Sequence, residues 1–346
     1  MLHFECDYVG GAVEKVLRAL VETNNEQTCG YGEDAHCDHA RAMIREKCAA
    51  QNAEVHFVVG GTQANLTVIA AALRPFEGVL CAATGHINVH ETGAVEATGH
   101  KVLGLSHAQG KISAQQVREA VLAHRGDANF EHMVRPAMVY LSHPTEVGTL
   151  YTRRELTDMS STCRELGVLL FVDGARLGYG LAAQKDVDLQ LLASTCDAFT
   201  IGGTKQGLLF GEAIVLTNER LKDCFRYHIK QRGGMLAKGR LLGVQFEAIL
   251  EGDEYVTLSA NANAMAQELK RAFVARGCSL FQDTLTNQIF PILTNQALER
   301  LKQSYVFSFW EKVDEVHSAV RFCTSVLTRR QEVDALLADI NLLKEV

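Results

Sequence analysis

Apolar positions along this chain recur with two periods. Between Gly11 and Asn24 they fall at Val13, Val16, Leu17, Leu20 and Val21, one face of a helix. A second helical pattern runs from His36 to Ala50, after a polar stretch holding Gly30 and Gly32. Beyond it, short apolar runs take over. Val55–Val59, Val79–Ala82, Ala137–Leu141, Val168–Val172, Ala198–Ile201 and Ala213–Leu216 each predict a buried strand, with helical segments between them. Ser113 predicts one helix start, and Thr152 with Glu155 predicts a capping box on a helix that Gly167 ends. This alternation predicts an α/β domain with a mostly parallel central sheet.

The pattern changes after Gly233-Gly234. Longer helical patterns (Lys238–Leu250, Leu258–Ala275) lead into short strands near Gln288–Ile292, Tyr305–Phe309 and Ala319–Cys323. A final helix is expected to open at Thr328, with Gln331 completing its capping box. At 346 residues the chain exceeds the length at which one core stops growing. We therefore expect an N-terminal segment over residues 1–20, a large α/β domain over 21–235 and a smaller α+β domain over 236–346.

Composition narrows the classes of function. Hydrophobic content of 47% with 22% charged residues is ordinary for a soluble globular protein. A formal charge of −7 with no Lys/Arg run argues against nucleic acid as a partner. No apolar stretch is long enough to span a bilayer, and residues 1–10 carry Glu5 and Asp7 in place of a basic leader. Ten scattered cysteines without a CxxC pair suit reduced thiols in the cytoplasm. Zinc is disfavoured for want of ligand spacing, since His86 and His90 at i, i+4 do not sit in a convincing metal helix.

Four local features carry chemistry. Gly60-Gly61-Thr62-Gln63-Ala64-Asn65 links a strand to the helix Leu66–Leu73, so its amides and the Thr62 hydroxyl suit an anion; a tight turn explains it equally well. Asp173-Gly174-Ala175-Arg176 ends the most hydrophobic strand, where open α/β sheets bind ligands. A buried carboxylate there faces either a protonated ring nitrogen or a structural arginine. Lys205, after a strand and Gly202-Gly203, is either a sheltered imine-forming amine or a loop lysine. His86, after Val79–Ala82, would stack on an aromatic cofactor or cap a helix. An imine lysine, a carboxylate for a pyridine nitrogen and a phosphate cup are the parts a pyridoxal-5′-phosphate (PLP) enzyme requires, here in one chain and in order.

With those motifs the chain resembles the threonine aldolase / β-eliminating lyase family of fold-type-I PLP enzymes, from about Phe4 to the final helix. The matching pieces are Asp7, Tyr31-Gly32-Glu33-Asp34, Gly60 to Asn65, His86 with Glu91-Thr92-Gly93-Ala94, Asp173 to Arg176, Thr204-Lys205, Gly233-Gly234-Met235 and the strand holding Arg321. The resemblance implies the aspartate-aminotransferase-like fold, with Lys205 carrying the cofactor as a Schiff base and Gly61 and Thr62 binding its phosphate. It further implies that His86 stacks on the ring, Asp173 holds the pyridine nitrogen, and Arg176 lies by the ring and substrate carboxylate. Arg321 would bind the α-carboxylate. Homodimers or homotetramers with shared active sites are implied too, Tyr31 reaching in from the neighbour.

Three departures alter the substrate pocket. The family's Arg-Ser-Asp-Thr-Val-Thr opening is here Glu5-Cys6-Asp7-Tyr8-Val9-Gly10, so Cys6 replaces a substrate-binding serine. An Arg-Gln pair after Gly234-Met235 is replaced by Leu236-Ala237, with Lys238 as its candidate substitute. The catalytic-base histidine aligns with Pro144, one position after His143, which leaves His86 and His143 as the expected general bases. The expected reaction is cleavage of a β-hydroxy-α-amino acid, threonine-like or aromatic, to glycine and an aldehyde. β-Elimination, transamination, racemisation and ligand binding without turnover are the alternatives.

Overall fold

A computed structural model describes residues 1–343. The strands Glu77–Ala82, Leu169–Asp173, Ala198–Gly202 and Glu212–Leu216 are buried at every position. Such strands have both faces covered, which is why they read as unbroken apolar runs rather than alternating ones. They belong to a seven-stranded sheet in the order Glu54–Val58, Glu212–Leu216, Ala198–Gly202, Leu169–Asp173, Arg135–Ser142, Glu77–Ala82, Lys101–Leu105. All pairings are parallel except those of Glu212–Leu216, which runs antiparallel to both neighbours. This is the expected fold-type-I α/β architecture with a mostly parallel sheet.

Local signals placed most helices. Asp34 caps Ala35–Lys47 by accepting from the Cys37 amide at 2.9 Å. Capping boxes close on Ser113/Gln116 and Thr152/Glu155, and Gly167 ends the second helix at φ +65°. Other elements differ from expectation. The first helix spans only Glu14–Glu22, because the Val13 amide is held by the Gly207 carbonyl. The last helix is Arg330–Asn341, with Glu332 accepting from the Arg329 amide; the Thr328 hydroxyl accepts from Ser325 N and so belongs to the preceding turn. Strand Lys101–Leu105 was not anticipated. It lies at the sheet edge with one buried residue and Gly104 in its interior, so no apolar run marks it.

The C-terminal region carries a second, antiparallel sheet ordered Ser308–Lys312, His317–Cys323, Gln288–Thr294, Leu280–Gln282. The expected strand Tyr305–Phe309 is divided, and Tyr305–Val306 pairs in parallel with Leu2–His3 instead. Phe4 therefore packs in one cluster with Leu269, Phe273, Phe322 and Leu336, from the helices Glu254–Ala275 and Arg330–Asn341 and the small sheet. Each such fully buried side chain is worth roughly 1.5–3 kcal/mol over leaving it in water. The result for the site is that the chain's first residues are anchored beside the small sheet, and Asp7 follows directly. No helix among the described residues is long and apolar enough to cross a membrane.

Candidate active site

The register of the central strands sets the site. Ser142 stands opposite Asp173, so the ends of Arg135–Ser142 and Leu169–Asp173 are level. A Cβ at Gly174 would come within 2.0 Å of the Thr200 carbonyl, so only glycine lets the chain leave the sheet beside the next strand. Asp173 is buried. Its Oδ2 accepts from Tyr140 Oη at 2.6 Å and Asn65 Nδ2 at 2.8 Å, and its Oδ1 accepts from the Ala175 amide at 2.8 Å. Burial opposes charge on Asp173, but the His86 imidazole and these three donors outweigh it and hold the carboxyl below its ordinary value. A carboxylate offers about four lone-pair sites, so three donors leave room for one more.

Lys205 sits in the short turn Thr204–Gln206 beyond the strand Ala198–Gly202. Burial lowers its pKa and nearby Arg176 lowers it further, while Asp7, Asp173 and Glu212 oppose the shift only in part. A lysine whose charge is disfavoured presents a nucleophilic amine. Lys205 and Asp173 line one cleft, open to solvent, together with Gly61, Thr62, His86, Ser142, Pro144, Glu146, Ala175 and Arg176.

At one end of this cleft the helix Gly61–Ala72 begins five residues earlier than the apolar pattern suggests. Its first internal bond runs from the Ala64 amide to the Gly60 carbonyl, so the amides of residues 61–63 precede the ladder. A Cβ added to Gly61 would meet nothing nearer than Ala175 Cβ at 4.0 Å, which shows the open side of this turn. His86 is held from two directions. Its Nδ1 lies 2.8 Å from Oε1 of the buried Glu91, which also accepts from Asn65 Nδ2 at 2.7 Å, and its amide donates to Glu146 Oε1 at 2.8 Å.

Arg176 enters the cleft already paired. Its Nε and Nη2 donate to Asp7 Oδ2 and Oδ1 at 2.7 and 2.9 Å, and Asn287 Nδ2 donates to the same carboxylate at 2.9 Å. Burial of Asp7 works against its charge, but Arg176 and then Lys205 win, and the carboxyl is held down at about 2.

Four expected site residues do not line this cleft. His143, expected as a general base, is fully buried; its Nδ1 accepts from the Tyr151 amide at 3.3 Å and its Nε2 lies 3.4 Å from Gln184 Nε2. Burial lowers its pKa to about 4. Cys6 is buried. Arg321 donates to Gln288 Oε1, the Glu5 carbonyl and Ser308 Oγ, and its guanidinium lies 5.7 Å from the Trp310 ring centre. Tyr31 is exposed, in a left-handed turn with its ring 4.5 Å from Lys230 Nζ; Lys238 is exposed as well.

Sequence reading gave no role to Tyr140, Ser142, Glu146 or Asn65. A signal for two of them was present: Tyr140 and Ser142 are two apart at the end of a strand, hence on one face. Asn65 reaches Asp173 across 108 positions, which no local pattern reports.

The donor set suits PLP: amides at a helix N-terminus for a phosphate, a vacant carboxylate lone pair for a ring nitrogen, and a lysine amine of lowered pKa in one cleft. The fold agrees, matching an alanine–glyoxylate aminotransferase from Nostoc sp. with TM-score 0.70 at 19% identity, over 99% of this chain and 94% of that one. Fold and cleft together define a fold-type-I PLP enzyme. Residues 4–296 match the family described as beta-eliminating lyase, and the chain belongs to that family. It is 32% identical to a low specificity L-threonine aldolase of Pseudomonas aeruginosa, over 98% of this chain and 97% of that protein. It is also 40% identical to a solved Leishmania major threonine aldolase, with TM-score 0.96 and 99% of each chain covered.

Proposed function

We propose that this protein is a PLP-dependent aldehyde-lyase that splits a threonine-like or aromatic β-hydroxy-α-amino acid into glycine and an aldehyde. The observation that carries this reading is the near-complete superposition on the Leishmania major threonine aldolase, TM-score 0.96 at 40% identity. Lys205 would hold the cofactor covalently, Asp173 its ring nitrogen, Gly61 and Thr62 its phosphate, and His86 would lie against its ring. When bound there, the cofactor supplies a sink for the electron pair left on Cα.

The chain's own residues supply the rest. Asp173, kept ionised by Tyr140, Asn65 and Ala175, offers its remaining lone pair to a ring N–H. Glu91 fixes the orientation of the His86 ring through Nδ1. Arg176, aligned by both oxygens of Asp7, lines the cleft and meets the substrate carboxylate. Arg321 assists from the small sheet, anchored by Ser308 and Gln288, and Cys6 and Tyr31 complete the substrate surroundings. We assign the large domain to residues 21–235 and the small one to 236–346, with residues 1–20 delivering Asp7. In our reading the protein is a cytoplasmic homodimer or homotetramer, with Tyr31 contributed to a neighbour's site.

The test is an amino-acid screen of the purified holoenzyme, monitored for glycine, pyruvate and α-keto acid. Glycine from L-threonine, L-allo-threonine or an aromatic β-hydroxy amino acid is the expected product. Pyruvate and ammonia from L-serine or cysteine, with no glycine from any β-hydroxy substrate, would replace aldol cleavage by β-elimination.

A further inference from the structure

Aldol cleavage needs a group that takes the proton of the β-hydroxyl, and the roles proposed above leave that task without an owner. His143 lies outside the cleft, with its ring against Tyr151 and Gln184. His86, also expected as a base, is given to the cofactor ring with its Nδ1 held at Glu91, and the Lys205 amine is reserved for the cofactor. Glu146 lines the cleft on the same side as His86 and Ser142. Its Oε1 accepts from the His86 amide at 2.8 Å and from Ser142 Oγ at 2.5 Å. Ser142 has one hydroxyl proton and two acceptors in reach, since Tyr140 Oη stands at 3.1 Å. The shorter contact takes it, and Tyr140 directs its own proton to Asp173 at 2.6 Å. Both of these bonds to Glu146 fall on Oε1, its own backbone amide adds a third contact to the carboxylate, and no other described residue donates to Oε2, the oxygen that the proposal gives to a ligand.

Resting on the lyase reading, we propose that Glu146 is the general base of cleavage and accepts the β-hydroxyl proton on Oε2. The O–H bond breaks, its electron pair forms the aldehyde C=O, and the Cα–Cβ pair remains on Cα. The proton gained by Glu146 balances the one later delivered to Cα, so glycine and aldehyde leave with no net proton change. Burial supports this assignment by raising the Glu146 carboxyl above its ordinary value, despite the opposing Ser142 and backbone hydrogen bonds and the nearby His86. A carboxylate of raised pKa is the stronger base at neutral pH. The same hydrogen bonds make the His86 backbone and Ser142 positioning groups, since they fix which carboxylate oxygen faces the ligand.

The test is Glu146→Gln in the holoenzyme, whose side-chain oxygen still accepts from Ser142 and His86. Three readouts are compared with wild type: the cofactor absorption spectrum, α-proton exchange of glycine in D₂O by NMR, and glycine release from L-threonine and an aromatic β-hydroxy amino acid. Glycine exchange breaks only a Cα–H bond and has no β-hydroxyl to deprotonate. The spectrum and the exchange rate are therefore expected to stay near wild type, while cleavage falls roughly 10²–10⁴-fold. Glu146→Asp, with its carboxylate drawn back but present, is expected to recover part of that loss. Wild-type cleavage by Glu146→Gln overturns the proposal, as does a loss of exchange in step with cleavage in both variants. If wild type itself exchanges glycine but splits no β-hydroxy amino acid, the lyase reading fails and this assignment falls with it.

Discussion

Asp7→Asn removes one charge from the pair that holds Arg176 and leaves the shape of the site almost unchanged. The Asp7 side chain is 0% exposed and that of Arg176 12%, so the guanidinium cannot turn to water for compensation. Its Nε and Nη2 would then face a neutral amide whose nitrogen is itself a donor. Breaking one side of a buried pair costs about 3–5 kcal/mol, mostly because the other charge stays behind. An independent figure comes from titration. Holding the Asp7 carboxyl at about 2 against its ordinary 3.8 is worth roughly 2.5 kcal/mol at neutral pH. It is the smaller figure because protonation leaves the geometry intact and retains an oxygen acceptor. The sign follows from the folded carboxyl being the more acidic one: its stabilisation is complete above pH 3.8 and is lost as pH falls through about 2. Urea unfolding of the holoenzyme, followed by far-UV circular dichroism, should thus give a clearly lower midpoint for Asp7→Asn at pH 7. The difference from wild type should shrink once pH drops below about 4. KM for amino acids should rise as Arg176 loses its alignment. Equal midpoints at pH 7 would refute the reasoning, since they would mean that the Arg176 charge needs no partner in this fold.

Further outcomes concern individual groups. Borohydride reduction of the holoenzyme followed by peptide mapping is expected to place the pyridoxyl label on Lys205, and Lys205→Ala to abolish both label and turnover; a label on another lysine would sink the assignment. Asp173→Asn should keep part of the cofactor and lose most activity, because an amide cannot stabilise a protonated ring nitrogen; a near-normal kcat would make Asp173 purely structural. His143→Gln is expected to cost about 1–3 kcal/mol of stability through the Tyr151 amide it leaves poorly paired, with turnover per folded enzyme retained. A hundredfold loss of kcat in a stable His143→Gln protein would instead restore it as the base.

The sequence by itself determined the features set within a few residues of one another. Unbroken apolar runs located the buried strands Leu169–Asp173 and Ala198–Gly202, because a strand covered on both faces has no polar side to alternate with. Gly174, Gly202 and Gly203 marked where the chain leaves the sheet, and so placed Asp173 and Lys205 at strand ends. The Thr152/Glu155 box and Gly167 fixed one helix by the same local chemistry. Tertiary structure decided what satisfies each buried charge. Asp173 depends on Asn65 from 108 positions away and Tyr140 from 33, and Arg176 depends on Asp7 from 169. It also decided between near neighbours in the chain. His143 and Glu146 follow the same strand, and the path of the turn buries one against Tyr151 while it turns the other to the cleft. Periodicity reports which face of an element avoids water. The partner that compensates a buried charge comes from distant segments, and packing alone brings them together.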